Sequence, residues 1–189
     1  MFVDFWKEEY FLDPNFDDMY HYVETNPEKA LLFLSQLESN CGKDLFYQMC
    51  LEDFDTVQYE QCEEAFRRAF SEILKRERIV AYAADRTIFD NRNVKKLTGL
   101  EKTQLKSLKL FCGCRQEVVS NGDFEKLLLC MTRGLASTCA LAVNWKILLL
   151  MQDLHGCIVY NKETDMEGLK YMIDVFKKNA FVVEPLSAD

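Results

Sequence analysis

Apolar positions recur along much of this chain at the three- and four-residue spacing of amphipathic helices. The clearest case is the stretch 56–78, where Cys62, Phe66, Ala69, Phe70 and Ile73 fall on one face. Its acids (Glu60, Glu63, Glu64) come early and its bases (Lys75, Arg76, Arg78) come late, an order that complements the helix dipole. Asn26-Pro27-Glu28 reads as a helix start, with Asn as cap and Pro at the first helical position. The run Ala30–Leu34 with Leu37 continues that helix, and Asn40-Cys41-Gly42 ends it.

The same reasoning predicts a short helix within 1–13 and helical pattern over Phe16–Glu24. Further helices are predicted at about 43–51, 100–118, 124–154 (broken near Gly134) and 166–178, while the tail 182–189 frays. The fold class expected is therefore all-α: a multi-helix bundle of about seven to nine helices around a buried apolar helix or hairpin at roughly 124–154. It divides into an acidic N-terminal region, 1–82, and a C-terminal region, 98–180, with a boundary near 83–97. A single compact domain is the alternative.

Composition supports long helices. Seven Gly and three Pro in 189 residues leave little of the usual material for tight turns. With 49% apolar residues there is ample core, and the eight cysteines read mostly as reduced, buried small hydrophobes. The apolar stretch Leu127–Met151 is interrupted by Arg133, Asn144 and Lys146, and its longest charge-free run, 134–145, is 12 residues. A membrane-spanning helix needs about 20. No signal peptide is read at residues 1–13, so the expected location is cytoplasmic, with the nucleus as the other compartment compatible with the sequence.

Chemistry-bearing patterns are scarce. The two histidines, His21 and His155, stand in no spacing that builds a catalytic pair, and no nucleophile elbow, zincin, P-loop or dinucleotide motif occurs. No catalytic residue, metal or cofactor is expected. Cys112-Gly113-Cys114 lacks the second ligand pair of a zinc knuckle, which leaves a cytosolic redox sensor as a minor function class. No motif assigns the chain to a family.

Charge is segregated. The formal net charge is −8, but residues 1–66 carry 16 acids and 3 bases, whereas residues 67–115 carry 13 bases and 5 acids. Helical spacing gathers Arg67, Arg68, Lys75 and Arg78 in one quadrant, and sets Lys102, Lys106 and Lys109 in a stripe. These seven are the candidate contacts for a nucleic acid or another anionic partner. The competing reading is that the basic faces meet the acidic N-terminal region of the same chain or of a second copy. Two functions follow. The first is a non-enzymatic helical protein-interaction module, an adaptor or regulator whose partner is another protein. The alternative is an RNA- or DNA-binding helical protein that uses the 67–115 faces, with homo-oligomerisation as a way to concentrate them.

Overall fold

A computed structural model describes residues 4–35, 56–84, 89, 99–119, 121–152 and 155–186. In it the described residues form a mixed α/β fold: five α-helices and one seven-stranded antiparallel sheet. The helices are α1 (Phe16–Thr25), α2 (Thr56–Ile73), α3 (Lys102–Phe111), α4 (Asn121–Thr132) and α5 (Met166–Lys178). The strands are β1 (Ala30–Ser35), β2 (Ile79–Ala83), β3 (Arg115–Val118), β4 (Thr138–Ala142), β5 (Ile147–Gln152), β6 (His155–Val159) and β7 (Phe181–Pro185). Across the sheet their order is β3-β2-β4-β5-β6-β1-β7. Short 3-10 turns at Glu8–Leu12 and Pro27–Lys29 flank α1.

The all-α bundle is thus overturned. The predicted helix or hairpin at 124–154 is α4 followed by the two strands β4 and β5, which with β6 form an antiparallel meander. The helix expected after Asn26 is a single 3-10 turn and then β1, and the tail expected to fray is β7, paired along β1. Helix 56–78 stops at Ile73 and gives way to β2, and the helix over 100–118 stops at Phe111 before β3. The predicted helices at Phe16–Glu24 and 166–178 are present as α1 and α5. The helix predicted at 43–51, and most of the boundary at 83–97, lie outside the described residues. β1 and β2, from the predicted N-terminal region, share one sheet with β3–β7.

The error has a physical cause. Both faces of the central strands are covered, so they carry continuous apolar runs such as Ile147-Leu148-Leu149-Leu150-Met151, which have no period-two signature. Burial still alternates by neighbour. Ala140, Ala142, Ile147, Leu149, Met151 and Phe33 pack with Phe66, Phe70, Leu128 and Phe176 of the helices α2, α4 and α5. The intervening Cys139, Leu141, Leu148, Leu150, Val80 and Val159 pack on the other face with Phe5, Trp6, Phe11, Met19 and Val23. The molecule has three layers: helices, sheet, and the N-terminal segment with α1.

Gly scarcity misled for a related reason. Two of the tight turns place side-chain-bearing residues at positive φ, Lys146 (53°) between β4 and β5 and Ala180 (66°) between α5 and β7. These turns exist without glycine. At two glycines the cause is close approach: a Cβ on Gly156 would lie 2.3 Å from the Leu150 carbonyl oxygen, and one on Gly168 would lie 2.4 Å from Cγ of Trp145.

Candidate functional site

The N-terminal layer carries a groove along the flank of α1, lined in part by that helix's exposed residues. Between the segment holding Phe5 and Trp6, helix α1, the Pro27–Lys29 turn and the loop after β6 lies a cavity of about 700 Å³. That size falls within the range of about 300–1,000 Å³ seen for ligand sites. One wall is aromatic. The rings of Phe5, Trp6 and Tyr22 form a triangle with centroids 5.5–5.8 Å apart, and Tyr10 meets Phe5 edge-on at 5.2 Å. Edge-to-face contacts of this kind add to the area buried and hold the wall rigid. Lys146 Nζ donates to the Trp6 carbonyl oxygen at 3.2 Å, tying this segment to the β4–β5 turn.

Local structure sets the polar groups. The Asn15 side chain caps α1 by accepting from the Asp17 and Asp18 amides, which fixes the face carrying Asp18, His21, Tyr22 and Thr25 towards the cavity. The Thr25 hydroxyl donates to the His21 carbonyl oxygen (2.8 Å), and Asn26 Nδ2 donates to that of Tyr22 (2.9 Å). Lys29 Nζ donates to Asn26 Oδ1 at 3.3 Å, and Asn161 accepts from the Glu163 amide at 2.7 Å. Burial raises the Tyr22 phenol above its ordinary value, so at neutral pH it is an uncharged hydroxyl. The rim carries Lys29 and Lys162 together with Asp18, and Lys29 is itself 3.8 Å from the Glu28 carboxylate. Such a site can hold a ring or aliphatic side chain against the aromatic wall and a carboxylate at the rim.

Of the seven predicted basic residues, Arg67 and Arg78 are held in ion pairs. Arg67 forms a bidentate pair with Glu125 of α4 (2.6 and 2.8 Å) and also reaches Glu63 and Glu64. Arg78 is held in two forks, by Glu8 (2.6 and 3.0 Å) and by Glu117 (2.8 and 3.2 Å), and Arg115 shares Glu8 at 2.6 Å. Arg68 and Lys75 are exposed. Lys102, Lys106 and Lys109 are exposed on α3, whose buried residues are Leu105, Leu108 and Phe111.

Sequence reasoning missed the cavity. Its signal was the interleaving of aromatics and acids over residues 4–22, which reads as a helix lying on the body. No spacing rule links that segment to Lys162. Of the histidines, His21 lines the cavity and His155 starts β6. Among the described residues no group of three His, Cys, Asp or Glu side chains could hold a metal, and no helix is long and apolar enough to cross a membrane. Compared with protein-family models, curated proteins and solved structures, the chain matches none.

Proposed function

We propose that this protein is a non-enzymatic interaction protein, an adaptor or regulator, whose recognition site is the aromatic cavity beside α1. The observation that carries the reading is the rigid wall of Phe5, Trp6 and Tyr22 with Lys29 and Lys162 at its rim. Aromatic pockets receive the anchor side chains that dominate protein interfaces. The volume suits one or two such side chains, and the exposed Lys162 at the rim favours an acidic segment of the partner.

The test is fluorescence polarisation of labelled acidic peptides, each carrying one aromatic residue. The expected outcome is saturable binding that weakens at least about tenfold, or about 1.4 kcal/mol, in the double variant Lys29→Glu, Lys162→Glu. Binding that ignores both substitutions would remove the cavity as the site. A nucleic-acid reading retains one supporting observation, the exposed lysine stripe on α3. It requires salt-sensitive RNA retention that disappears in Lys102→Glu, Lys106→Glu and leaves peptide binding unchanged.

A further inference from the structure

Six cysteines lie among the described residues: Cys62, Cys112, Cys130 and Cys139 are buried, Cys157 is half-buried and Cys114 is exposed. The sequence makes Cys112 and Cys114 a natural couple, but packing gives Cys112 a different neighbour. It caps the C-terminus of α3, and α3 lies against α4, which carries Cys130. The two sulfurs are 3.6 Å apart within the core, joined by an S–H···S contact. A disulfide bond needs them at about 2.05 Å, so the approach required is roughly one and a half ångströms.

We propose that Cys112 and Cys130 form an oxidisable dithiol, a modification site at which hydrogen peroxide converts the pair to a disulfide that staples α3 to α4. The inference is independent of the aromatic cavity. Three features support it. First, the partners are already in contact, so no rearrangement of helices is needed to bring them together. Second, the two ends differ in freedom. Cys130 is fixed inside a helix, while Cys112 sits where α3 ends, beside Gly113 at φ 80°. The turn can therefore yield the short approach that the helix cannot.

Third, their environments differ in a way that divides the roles. Cys130 is fully buried, whereas Cys112 keeps 7% of its surface exposed. Cys112, at the end of α3, is the more accessible of the two, whereas Cys130 lies inside α4. Cys112 is then the entry point. Its thiolate attacks a peroxide oxygen and the O–O bond breaks. With the thiol proton counted, one water leaves and Cys112 becomes a sulfenic acid. The Cys130 sulfur attacks the Cys112 sulfur, its proton joins the departing hydroxyl, and a second water leaves with the S–S bond formed. The peroxide is reduced and the two thiols are oxidised, with electrons and atoms in balance. The bridge joins positions 18 residues apart and encloses β3 within its loop.

The experiment treats the full chain with hydrogen peroxide, blocks remaining thiols by alkylation under denaturing conditions, and maps tryptic peptides without reduction. Cleavage after Lys109, Arg115, Lys126 and Arg133 places Cys112 and Cys114 in one peptide and Cys130 in another. The expected result is a cross-link between these two peptides in the wild type that persists in Cys114→Ser and disappears on reduction. It should be lost in Cys112→Ser and in Cys130→Ser. A wild-type map with both thiols still alkylated after peroxide would overturn the proposal, and needs no variant to fold. So would a cross-link that vanishes in Cys114→Ser, since that assigns the bridge to the exposed thiol.

Discussion

Gly168 tests whether the junction of α5 with the β4–β5 turn is as tight as its geometry implies. The residue lies in the first turn of α5, and a Cβ there would stand 2.4–2.7 Å from three atoms of the Trp145 indole. The ring has little room to retreat. It is 9% exposed and packs edge-on against Tyr171 at 5.8 Å, and Tyr171 is itself covered by the Arg76 guanidinium at 4.2 Å. The backbone is clamped as well: the Asp165 amide donates to the Trp145 carbonyl oxygen at 2.9 Å, and the Thr164 hydroxyl donates to that of Lys146 at 2.7 Å. Two effects oppose each other in Gly168→Ala. Removing a helical glycine gains up to about 1 kcal/mol, and less near a helix end. Overpacking costs about 1–3 kcal/mol, towards the upper end where neighbours cannot yield. Overpacking wins here, and the expected net loss is about 2 kcal/mol, or roughly 4–8 °C in Tm for a chain of this length.

The sign of that effect depends on Trp145. In a Trp145→Leu background the indole is gone, and Gly168→Ala should become neutral or stabilise by up to about 1 kcal/mol. The coupling between the two sites is then about 2–3 kcal/mol. Urea unfolding followed by far-ultraviolet circular dichroism measures all four proteins without relying on tryptophan emission. If Gly168→Ala is at least as stable as wild type, or if its cost is undiminished in the Trp145→Leu background, the contact does not govern this junction.

Two further outcomes follow from single turns and single clusters. Ala180→Gly should raise the urea midpoint by an amount equivalent to about 1 kcal/mol, because Ala180 holds φ at 66° with an exposed side chain; a lowered midpoint would contradict this. Acid sensitivity should centre on Arg78, whose hydrogen bonds hold the Glu8 and Glu117 carboxylates below the ordinary value of 4.5. Carboxylates with a depressed folded pKa contribute stability that is full above 4.5 and is lost as pH falls through the lower folded values. Urea midpoints measured from neutral pH downward should therefore fall more steeply below 4.5 in wild type than in Arg78→Ala, and parallel curves would refute the assignment.

What was legible in the sequence was what a single stripe can reveal. α1, α2 and α5 each carry one apolar face against the body and one polar face outward, and periodicity finds them. β4 and β5 are apolar on both faces because a helical layer and an aromatic N-terminal layer enclose them, so no alternation survives to separate strand from buried helix. β1 was hidden differently. Asn26-Pro27 does start a helical turn, but the turn closes after Lys29, and Ala30–Ser35 then pair with β6 and β7 across distances that no local rule reports. The cavity was illegible for the same reason. Phe5, Trp6 and Tyr22 are close in sequence, whereas Lys162 joins them only through the position of β6 beside β1.

The charge segregation takes on a different meaning once the layers are in place. Glu8, from the acidic end of the chain, lies between Arg78 of the turn entering β2 and Arg115 of β3, because the N-terminal segment packs on the β2 edge of its face. Within the helical layer, Glu63 accepts from Arg133 at 2.6 and 3.0 Å and from the Thr132 hydroxyl at 2.8 Å, while Glu125 takes Arg67. Acids and bases separated by tens of residues in sequence are thus brought into contact across layers. An ion pair of this kind needs its partner nearby, and breaking a buried one leaves an uncompensated charge. Sequence asymmetry here reports in part which segments pack together. Among the described residues basic side chains still face outward at several places, Arg68, Lys75, the α3 stripe and Lys162 at the cavity rim among them. The cavity adds an aromatic wall to its charge, and the proposal of a recognition site there rests on that addition.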